Sequence, residues 1–317
     1  MDNLRAAVIG VGYLGSFHAQ KYQRIRDVEL VAVVDENSER LSEVSQRLNV
    51  PGFLDYTEVA KKVDLVSIVV PPANHYDIGV FFLEKNIHCL IEKPLAERVE
   101  DAQHLIEIAK KRSLILQVGH LERFNPMAVA LKNNIKTAQQ IHTLRHSIFK
   151  ERGTEVDVVL DSMIHDIDFV LDFEKSKLKD VEASGVSLKS NAIDVAKVKL
   201  FFESGLLATL EANRVSKEPK REICAETATH KYFIDFLTHA THTMKKSDNI
   251  KNANQISKDR FQTPFFLNEL PKNIDILKDE IMSFIEAIKF GKSPLVSGED
   301  GKKALEVCLE IMDRIRS

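Results

Sequence analysis

The sequence predicts an α/β fold in which a doubly wound parallel sheet is followed by a second α/β domain with a largely antiparallel open sheet. Three observations predict it: apolar strands alternate with amphipathic helices up to about residue 120, a glycine-rich turn follows the first strand, and later segments alternate with a period of two. A chain of 317 residues exceeds what one hydrophobic core usually holds. We therefore predict one domain over residues 1–120 and another over 121–317.

Short apolar runs mark the strands of the first domain. They are followed by segments in which apolar residues recur at helical spacing, as Leu41, Val44 and Leu48 do. Regular alternation of strand and helix predicts parallel pairing, and strands this apolar are expected to be buried on both faces. The predicted strands are 5–9, 29–34, 65–70, 88–92 and 114–118.

The second domain has a different pattern. Its period-two segments are 141–149, 195–203, 206–214 and 231–238. The short turn Glu203-Ser204-Gly205 between two of them predicts a hairpin. Helices are predicted at 161–172, 275–290 and 299–315. The polar segment 244–263 lacks periodicity and is interpreted as a mobile loop.

Composition and charge give no electrostatic indication of a polyanionic partner. The chain is 44% hydrophobic and 29% charged with a net charge of −3, which gives no reason to expect nucleic acid or an anionic membrane as partner. It has no apolar run of about 18 residues and no basic N-terminal region followed by an apolar one. We expect a cytoplasmic protein.

Cys89, Cys224 and Cys308 form no CxxC pair, so we expect buried thiols and no metal site.

The segment Val8-Ile9-Gly10-Val11-Gly12-Tyr13-Leu14-Gly15 reads as a strand end, a glycine turn and a helix start. In a dinucleotide-binding turn the first glycine permits the tight bend, the second leaves room for a pyrophosphate, and the third lets helix and strand approach. Helix N-terminal amides then face the phosphates. We therefore predict that Gly10, Gly12, Tyr13, Leu14 and Gly15 bind a dinucleotide in a Rossmann-type domain.

Asp35 ends the second strand about twenty residues after the turn. Its carboxylate is suited to accept hydrogen bonds from the adenosine ribose hydroxyls and to repel a 2′-phosphate. Glu36 follows it rather than arginine, which favours NAD over NADP. Arg40 leaves an alternative open, since it could fold back toward a phosphate or remain a solvated helix residue.

Two further strands end at the same carboxyl edge as the glycine turn, where open parallel sheets bind ligands. Strand 65–70 ends in Val70 and Pro71, close to His75, which could contact the cofactor or cap the following helix. Strand 88–92 ends in Glu92-Lys93-Pro94. Lys93 could hydrogen-bond a substrate hydroxyl and stabilise the oxyanion that forms as hydride leaves, or it could be a surface lysine paired with Glu92.

Asp161 and His165 are separated by four residues in a predicted helix, which places them on one face. An imidazole can accept a hydroxyl proton near neutral pH, and the carboxylate can orient the imidazole or the substrate. A surface pair and a metal site are alternatives, although no third ligand of suitable spacing stands out.

Together these motifs resemble the glucose-fructose oxidoreductase / inositol dehydrogenase (Gfo/Idh/MocA) family of NAD(P)-dependent sugar oxidoreductases. The resemblance spans essentially the whole chain, including the stretch 294–301 before the last helix. It implies a nucleotide-binding domain followed by an open-sheet domain used for substrate and oligomer contacts. By motif, Lys93 would be the site lysine that also contacts the cofactor, His165 the proton acceptor, and Asp161 the acid one helical turn earlier, with Glu92 beside the cofactor.

Within the family, Val118–Pro126 and Arg152-Gly153-Thr154 look most like a subgroup that oxidises the 3-hydroxyl of UDP-N-acetylglucosamine, for a diamino sugar of lipid A. Arg123, Asn125 and Arg152 would then bind substrate together with Lys93, Asp161 and His165; surface arginines are the alternative. An inositol or free-sugar dehydrogenase, an NAD-dependent glycosidase and a non-catalytic sensor stay open as other functions. An exposed sheet face in the second domain would favour a homodimer or homotetramer.

Overall fold

A computed structural model describes residues 3–151, 153–246 and 274–317. The described residues fall into two compact units. Those up to Phe124, together with Asp275–Leu305, form the first unit. Those from Asn125 to Ile274, together with Glu306–Ser317, form the second. Among the described residues, no helix has both the length and the apolar character that a membrane crossing requires.

The first unit contains a six-stranded sheet in which every pairing is parallel and the strand order is β3-β2-β1-β4-β5-β6. Its strands are β1 (Leu4–Ile9), β2 (Val28–Val34), β3 (Gly52–Phe53), β4 (Leu65–Ile68), β5 (His88–Glu92) and β6 (Leu116–Gly119). This arrangement confirms the predicted doubly wound parallel sheet.

Helices cover both faces of that sheet. They are α1 (Tyr13–Arg24), α2 (Ser38–Leu48), α3 (His75–Glu84), α4 (Val99–Lys111) and, from late in the sequence, α7 (Ile276–Phe290). Leu90 of β5 is buried in a core that includes Ile281 and Phe284 of α7, whereas the neighbouring Ile91 points to the other face, toward Gly79 of α3. Successive strand residues thus serve opposite layers, which explains why these strands are apolar throughout.

One strand is shorter than predicted, because β4 ends at Ile68 rather than at residue 70. The Val69 amide still donates to the Ile9 carbonyl at 2.8 Å. Pro71 and Pro72 then lack amide donors, and a single 3₁₀ turn begins at Pro72.

The second unit contains a seven-stranded sheet with the order β13-β12-β11-β7-β10-β9-β8. Its strands are β7 (Gln140–His146), β8 (Leu178–Val186), β9 (Val195–Phe202), β10 (Leu207–Asn213), β11 (Lys220–Glu226), β12 (His230–Asp235) and β13 (Ala240–Lys245). All pairings are antiparallel except β7 with β10, which confirms the largely antiparallel sheet. The predicted hairpin joins β9 to β10, and Gly205 has a φ of 90°, which favours glycine.

The remaining helices are α5 (Pro126–Asn134), α6 (Ile164–Phe173) and α8 (Gly298–Arg316). The helices predicted at 275–290 and 299–315 match α7 and α8 within one residue at each end. Of the predicted loop 244–263, residues 244 and 245 belong to β13, and residues 247–263 lie outside the described residues.

Candidate functional site

The glycine turn joins β1 to α1, and its backbone leaves little room for side chains on one side. Gly10 has a φ of 83°, and a Cβ there would lie 2.4 Å from the Val69 carbonyl oxygen. A Cβ on Gly15 would lie 1.8 Å from the carbonyl oxygen of Gly10. Both positions therefore require glycine for close approach of helix and strand.

Gly12 differs, because a Cβ placed there would meet no atom of the protein within 4 Å. It is the residue that precedes the first turn of α1, where amides point outward. Tyr13 is 69% exposed and Leu14 is half-buried in that first turn. The protein itself does not need a glycine at position 12, but a pyrophosphate against the helix N-terminus would, so the turn fits the dinucleotide predicted from the sequence.

Asp35 follows the end of β2 and is held by several donors. Its Oδ2 accepts from the Val11 amide at 2.9 Å, and its Oδ1 accepts from the Asn37 amide at 2.9 Å. Arg40 donates to both oxygens, from Nε at 3.0 Å and from Nη2 at 2.8 Å. Burial opposes ionisation of Asp35, but Arg40 and the two amides outweigh it and hold the pKa of this carboxyl below its usual range.

The next strand ends are connected by His75, the first residue of α3. Its Nδ1 lies 2.7 Å from the Pro94 carbonyl oxygen, and its Nε2 lies 2.9 Å from that of Val70. The ring thus links the segment after β4 to the segment after β5 rather than capping α3. Burial lowers the pKa of His75, against the two carbonyls, which favour the protonated ring. Pro71 is exposed beside this link.

Lys93 is half-buried directly after β5, at the same carboxyl edge of the sheet as the glycine turn. Its backbone amide donates to Glu92 Oε2 at 3.3 Å. The Glu92 carboxylate is buried, and its Oε1 lies 3.3 Å from His18 Nε2 of α1. Glu92 therefore faces the interior of the first unit. The alternative given above for Lys93 was a surface lysine paired with this carboxylate.

In the second unit Asp161 and His165 lie in consecutive turns of helix. Asp161 belongs to a π-helical turn, Val159–Met163, which runs directly into α6 with His165 as its second residue. The helix predicted over 161–172 is therefore confirmed, and its first turn is π-helical. π-Turns are uncommon and frequently occur at functional sites. Both side chains are half-buried, and the Ser162 hydroxyl donates to Asp161 Oδ2 at 3.2 Å.

A buried ion pair stabilises the loop that precedes Asp161. Arg214 donates from Nε to Asp194 Oδ1 at 2.8 Å and from Nη1 to the carbonyls of Gly153 and Val156 at 2.8 and 2.7 Å. Burial opposes ionisation of Asp194, but backbone amides, the Ser190 hydroxyl and Arg214 keep the pKa of its carboxyl far below the usual range. The ion pair thus holds in place the loop that leads to Asp161, which is predicted to act on the substrate.

A second buried pair adjoins His165. Arg145 of β7 donates to Asp166 Oδ2 from Nε at 2.9 Å and to Oδ1 from Nη2 at 2.8 Å. This two-point contact fastens the start of α6 to the sheet.

The three other residues predicted to bind substrate have local contacts. Arg123 Nη2 lies 3.6 Å from Asp300 Oδ1, with only 7% of the arginine side chain exposed. Asn125 Oδ1 accepts from the Met127 amide at 3.1 Å and caps α5. Arg152 lies outside the described residues. Substrate binding by these three residues stays a prediction.

The sequence did not single out several buried polar residues beside the candidate residues of each unit. They are His18 and Glu280 in the first unit and Arg145, Asp166, Asp194 and Arg214 in the second. One signal was available for Glu280, since it shares a helical face with the apolar residues Leu277, Ile281 and Phe284 of α7. Within residues 3–151, 153–246 and 274–317, the group of at least three possible metal ligands whose donor atoms lie within 4.8 Å of one another is His18, Glu92 and Glu280. This group includes neither Asp161 nor His165.

Comparison with known proteins agrees with this arrangement. A family model described as "Oxidoreductase family, NAD-binding Rossmann fold" matches residues 4–120. UDP-N-acetylglucosamine 3-dehydrogenase from Acidithiobacillus ferrooxidans is 33% identical over 312 residues, which is 98% of this chain and 97% of that protein. Myo-inositol 2-dehydrogenase from Thermotoga maritima is 28% identical, over 95% of this chain and 93% of that protein.

A solved structure of UDP-N-acetylglucosamine 3-dehydrogenase GnnA from Acidithiobacillus ferrooxidans superposes with a TM-score of 0.89. The two chains are 32% identical, and the match covers 99% of this chain and 98% of that one. Similarity at this level extends through both units, so the resemblance found in the sequence motifs is confirmed. The chain belongs to the Gfo/Idh/MocA family and is an oxidoreductase with a nicotinamide dinucleotide-binding fold.

Proposed function

We propose that the protein is an NAD-dependent dehydrogenase that oxidises a ring hydroxyl of a sugar, namely the 3-hydroxyl of UDP-N-acetylglucosamine, to the 3-keto sugar. One observation carries this proposal: a relative named for that reaction is 33% identical over nearly the full length of both chains. The 3-keto product would serve an aminotransferase in the synthesis of a lipid A diamino sugar. We propose the cytoplasm as the location of this reaction.

Asp35 supports NAD as the cofactor. Its carboxylate is suited to the two ribose hydroxyls, and it would repel the 2′-phosphate of NADP. Arg40 already neutralises part of that repulsion, because its guanidinium holds both carboxylate oxygens. NADP is therefore disfavoured rather than excluded. When bound, the nicotinamide supplies the acceptor for the hydride that leaves the sugar carbon.

The chain's own residues would handle the proton and the charge. His165 takes the proton of the reacting hydroxyl, and Asp161 orients the substrate or the imidazole. Lys93 donates a hydrogen bond to the same oxygen and stabilises its developing negative charge. Arg123 and Arg152 bind sugar or diphosphate oxygens, a task suited to planar guanidinium groups. Asn125 binds the substrate through its side-chain amide. Arg123 would have to exchange its contact with Asp300 for the substrate.

A second candidate is an inositol or free-sugar dehydrogenase, since a myo-inositol 2-dehydrogenase is 28% identical over 95% of this chain. An NAD-dependent glycosidase of the same fold is a third. The substrate separates them, because a glycosidase would use NAD without net formation of NADH.

We further propose a homodimer or homotetramer. The exposed apolar side chains Val186 and Leu188 in and just after the edge strand β8 support burial against another subunit. The proposed binding partners of the enzyme are thus a small-molecule substrate and further copies of the same chain.

The test is an absorbance assay for NADH with purified protein, NAD and one candidate substrate at a time. UDP-N-acetylglucosamine is supplied with a 3-keto-sugar aminotransferase to draw the equilibrium forward, and myo-inositol and N-acetylglucosamine serve as comparisons. NADH formation with the nucleotide sugar alone is the expected result. Formation with myo-inositol alone would assign the second candidate, and no NADH despite demonstrated binding of NAD and the nucleotide sugar would contradict the proposal.

A further inference from the structure

Three ionisable side chains meet in the interior of the first unit, behind the strand end that carries Lys93. His18 comes from α1, Glu92 from the end of β5, and Glu280 from α7. His18 and Glu280 are fully buried and Glu92 is 6% exposed. One donor or acceptor atom from each lies within 4.8 Å of the others. The cluster thus places two carboxyl groups close to a single imidazole in the interior of the first unit.

Hydrogen bonding in the cluster is incomplete. Among the described residues, neither oxygen of Glu280 has a hydrogen-bond partner, and Glu92 Oε1 has no well-aligned donor although His18 Nε2 is 3.3 Å away. A buried polar group without a partner is strongly disfavoured, as is a pair of neighbouring buried negative charges. One proton on one carboxyl relieves both problems, because a protonated acid donates a hydrogen bond to a carboxylate.

The surroundings decide which carboxyl holds that proton. Burial opposes ionisation of Glu92, but His18, Lys93 and the Lys93 amide outweigh it and lower its pKa. For Glu280, burial and the neighbouring Glu92 carboxylate both act in one direction and raise its pKa well above the usual range. Glu92 is therefore the carboxylate and Glu280 the neutral acid.

Other groups from the packed elements agree with this assignment. Tyr22 of α1 lies with its hydroxyl 2.8 Å from Ser67 Oγ, which in turn lies 3.2 Å from His18 Nδ1. Burial raises the pKa of Tyr22, so its hydroxyl is neutral and able to donate. If Tyr22 donates to Ser67 and Ser67 to Nδ1, the proton of the imidazole is on Nε2, facing Glu92. Gln117 of β6 donates from Nε2 to the Glu280 backbone carbonyl at 3.0 Å and adds no charge.

Glu92 connects this cluster to the backbone of Lys93. Its Oε2 accepts from the Lys93 amide at 3.3 Å. Its carboxyl group occupies the space beside Gly119 of β6, where a Cβ would lie 2.7 to 2.8 Å from the carboxyl atoms. A change in the direction of the Glu92 side chain would therefore break its hydrogen bond with the Lys93 amide.

We propose that Glu280 is a positioning residue for Lys93: its neutral acid group donates a hydrogen bond to the Glu92 carboxylate, and this acid pair fixes the strand end from which Lys93 extends. The catalytic consequence rests on the role given to Lys93 in the proposed function. The proton between Glu280 and Glu92 does not depend on the proposed function, because it is inferred from the buried cluster alone.

The test compares Glu280→Gln with Glu280→Met. Glutamine keeps a donor of the same shape as a neutral acid, whereas methionine keeps the volume and removes the donor. We expect the Gln variant to retain turnover close to wild type and the same pH profile. The Met variant should lose about tenfold to a hundredfold in kcat through misplacement of Lys93, with the Kd for NAD unchanged. Glu286→Gln and Glu286→Met, at an exposed position of the same helix, are the matched controls.

Three kinetic outcomes would overturn the proposal. Equal loss in both Glu280 variants would mean that the anion is needed, and equal retention in both would mean that Glu280 does not position Lys93. A shift of the pH profile in the Gln variant would show that the wild-type residue carries a charge.

An infrared measurement separates this proposal from the proposed function. Wild-type protein at neutral pH should show the carbonyl band of a protonated carboxylic acid, which Glu280→Gln removes and Glu286→Gln leaves. Without that band the acid pair is refuted, whatever the substrate is. With the band present, failure of the wild type to oxidise the nucleotide sugar counts against the proposed function alone. A stoichiometric metal ion found by elemental analysis would also overturn the shared proton, since a cation would balance the cluster.

Thermal melting gives a further readout if the Met variant does not fold. The pKa of Glu280 is raised on folding, so above about pH 4.3, the pKa of an ordinary glutamate, the wild type must bind a proton when it folds. Its stability therefore falls as the pH rises above that value. The Gln variant lacks this loss. Its Tm relative to wild type should therefore increase from pH 5 to pH 8, and a constant difference would contradict the proposal.

Discussion

The Arg40 guanidinium holds both carboxylate oxygens of Asp35, with Nε 3.0 Å from Oδ2 and Nη2 2.8 Å from Oδ1. The acid predicted to select NAD is thus paired with the base that could accept the phosphate of NADP. We predict that Asp35 determines the preference for NAD, and substitution can separate its effect from that of Arg40.

Replacing Asp35 with Ser should shift cofactor preference toward NADP. The substitution removes the acceptor for the ribose hydroxyls and frees Arg40 to meet a 2′-phosphate. We expect the ratio of kcat/KM for NAD to that for NADP to fall by about tenfold or more, equivalent to about 1.4 kcal/mol. Steady-state kinetics with both cofactors measures it, with Glu58→Gln, at an exposed position of the first unit, as control. An unchanged ratio would remove Asp35 from cofactor selection.

Gly12→Ala should weaken dinucleotide binding without destabilising the fold. A Cβ at Gly12 meets no protein atom within 4 Å, so the Tm should stay that of wild type. The methyl group would occupy the space assigned to the pyrophosphate, and the Kd for NAD should rise by about tenfold or more.

Gly15→Ala provides the contrast, because its Cβ would lie 1.8 Å from the Gly10 carbonyl oxygen and should lower the Tm. Fluorescence titration with NAD and calorimetry report the two effects. Normal NAD affinity in a folded Gly12→Ala variant would place the cofactor elsewhere.

The sequence was informative wherever one element carried the signal by itself. The buried strands of the first unit and the period-two strands β7, β9, β10 and β12 were predictable. β8 was not, because most of its residues are exposed and polar side chains such as Asp180 and Glu182 hide the pattern. β3 has only two residues, too few for any period.

Some candidate residues of the two units could be predicted from one sequence motif, whereas others are brought together only by the fold. Gly10, Asp35 and Lys93 are marked by position at strand ends, so a single motif is enough to identify each. His18 and Glu280 are far apart in the chain, and only the packing of α7 against α1 brings them together. The π-helical turn at Val159–Met163 depends on backbone hydrogen bonds that residue spacing does not encode.

Lys93→Met and His165→Asn should each abolish most turnover although both variants still bind NAD. Loss of a proton-transferring or oxyanion-stabilising group typically costs about 10²- to 10⁴-fold in rate. Stopped-flow measurement of NADH formation gives kcat, and titration gives the Kd for NAD. Lys111→Met and His142→Asn, at exposed positions, serve as matched controls. Turnover near that of wild type in either variant would cancel the role assigned to that residue.

Asp194→Asn should destabilise the protein and change its response to acid. The substitution removes the counter-ion of the buried Arg214 guanidinium, which keeps its hydrogen bonds to Gly153, Val156 and Ser190. Removal of one partner of a buried ion pair typically costs about 3–5 kcal/mol. The pKa of Asp194 is lowered on folding, so its stabilisation is present above the ordinary aspartate pKa of about 3.9 and disappears as pH falls below it.

Calorimetry between neutral pH and pH 3 should therefore show a Tm that falls more steeply for wild type than for Asp194→Asn. Asp313→Asn, an exposed position near the C-terminus, is the control and should follow the wild type. Parallel acid profiles for wild type and Asp194→Asn would show that this carboxylate contributes no pH-dependent stability.

In the proposed reaction, hydride passes from C3 of UDP-N-acetylglucosamine to the nicotinamide. Its most direct test uses UDP-N-acetylglucosamine deuterated only at C3, with mass spectrometry of the reduced cofactor. The proposed reaction predicts NADH that carries one deuterium and a 3-keto sugar that carries none. Reduced cofactor without deuterium, or deuterium retained in the sugar while NADH accumulates, would contradict oxidation at C3.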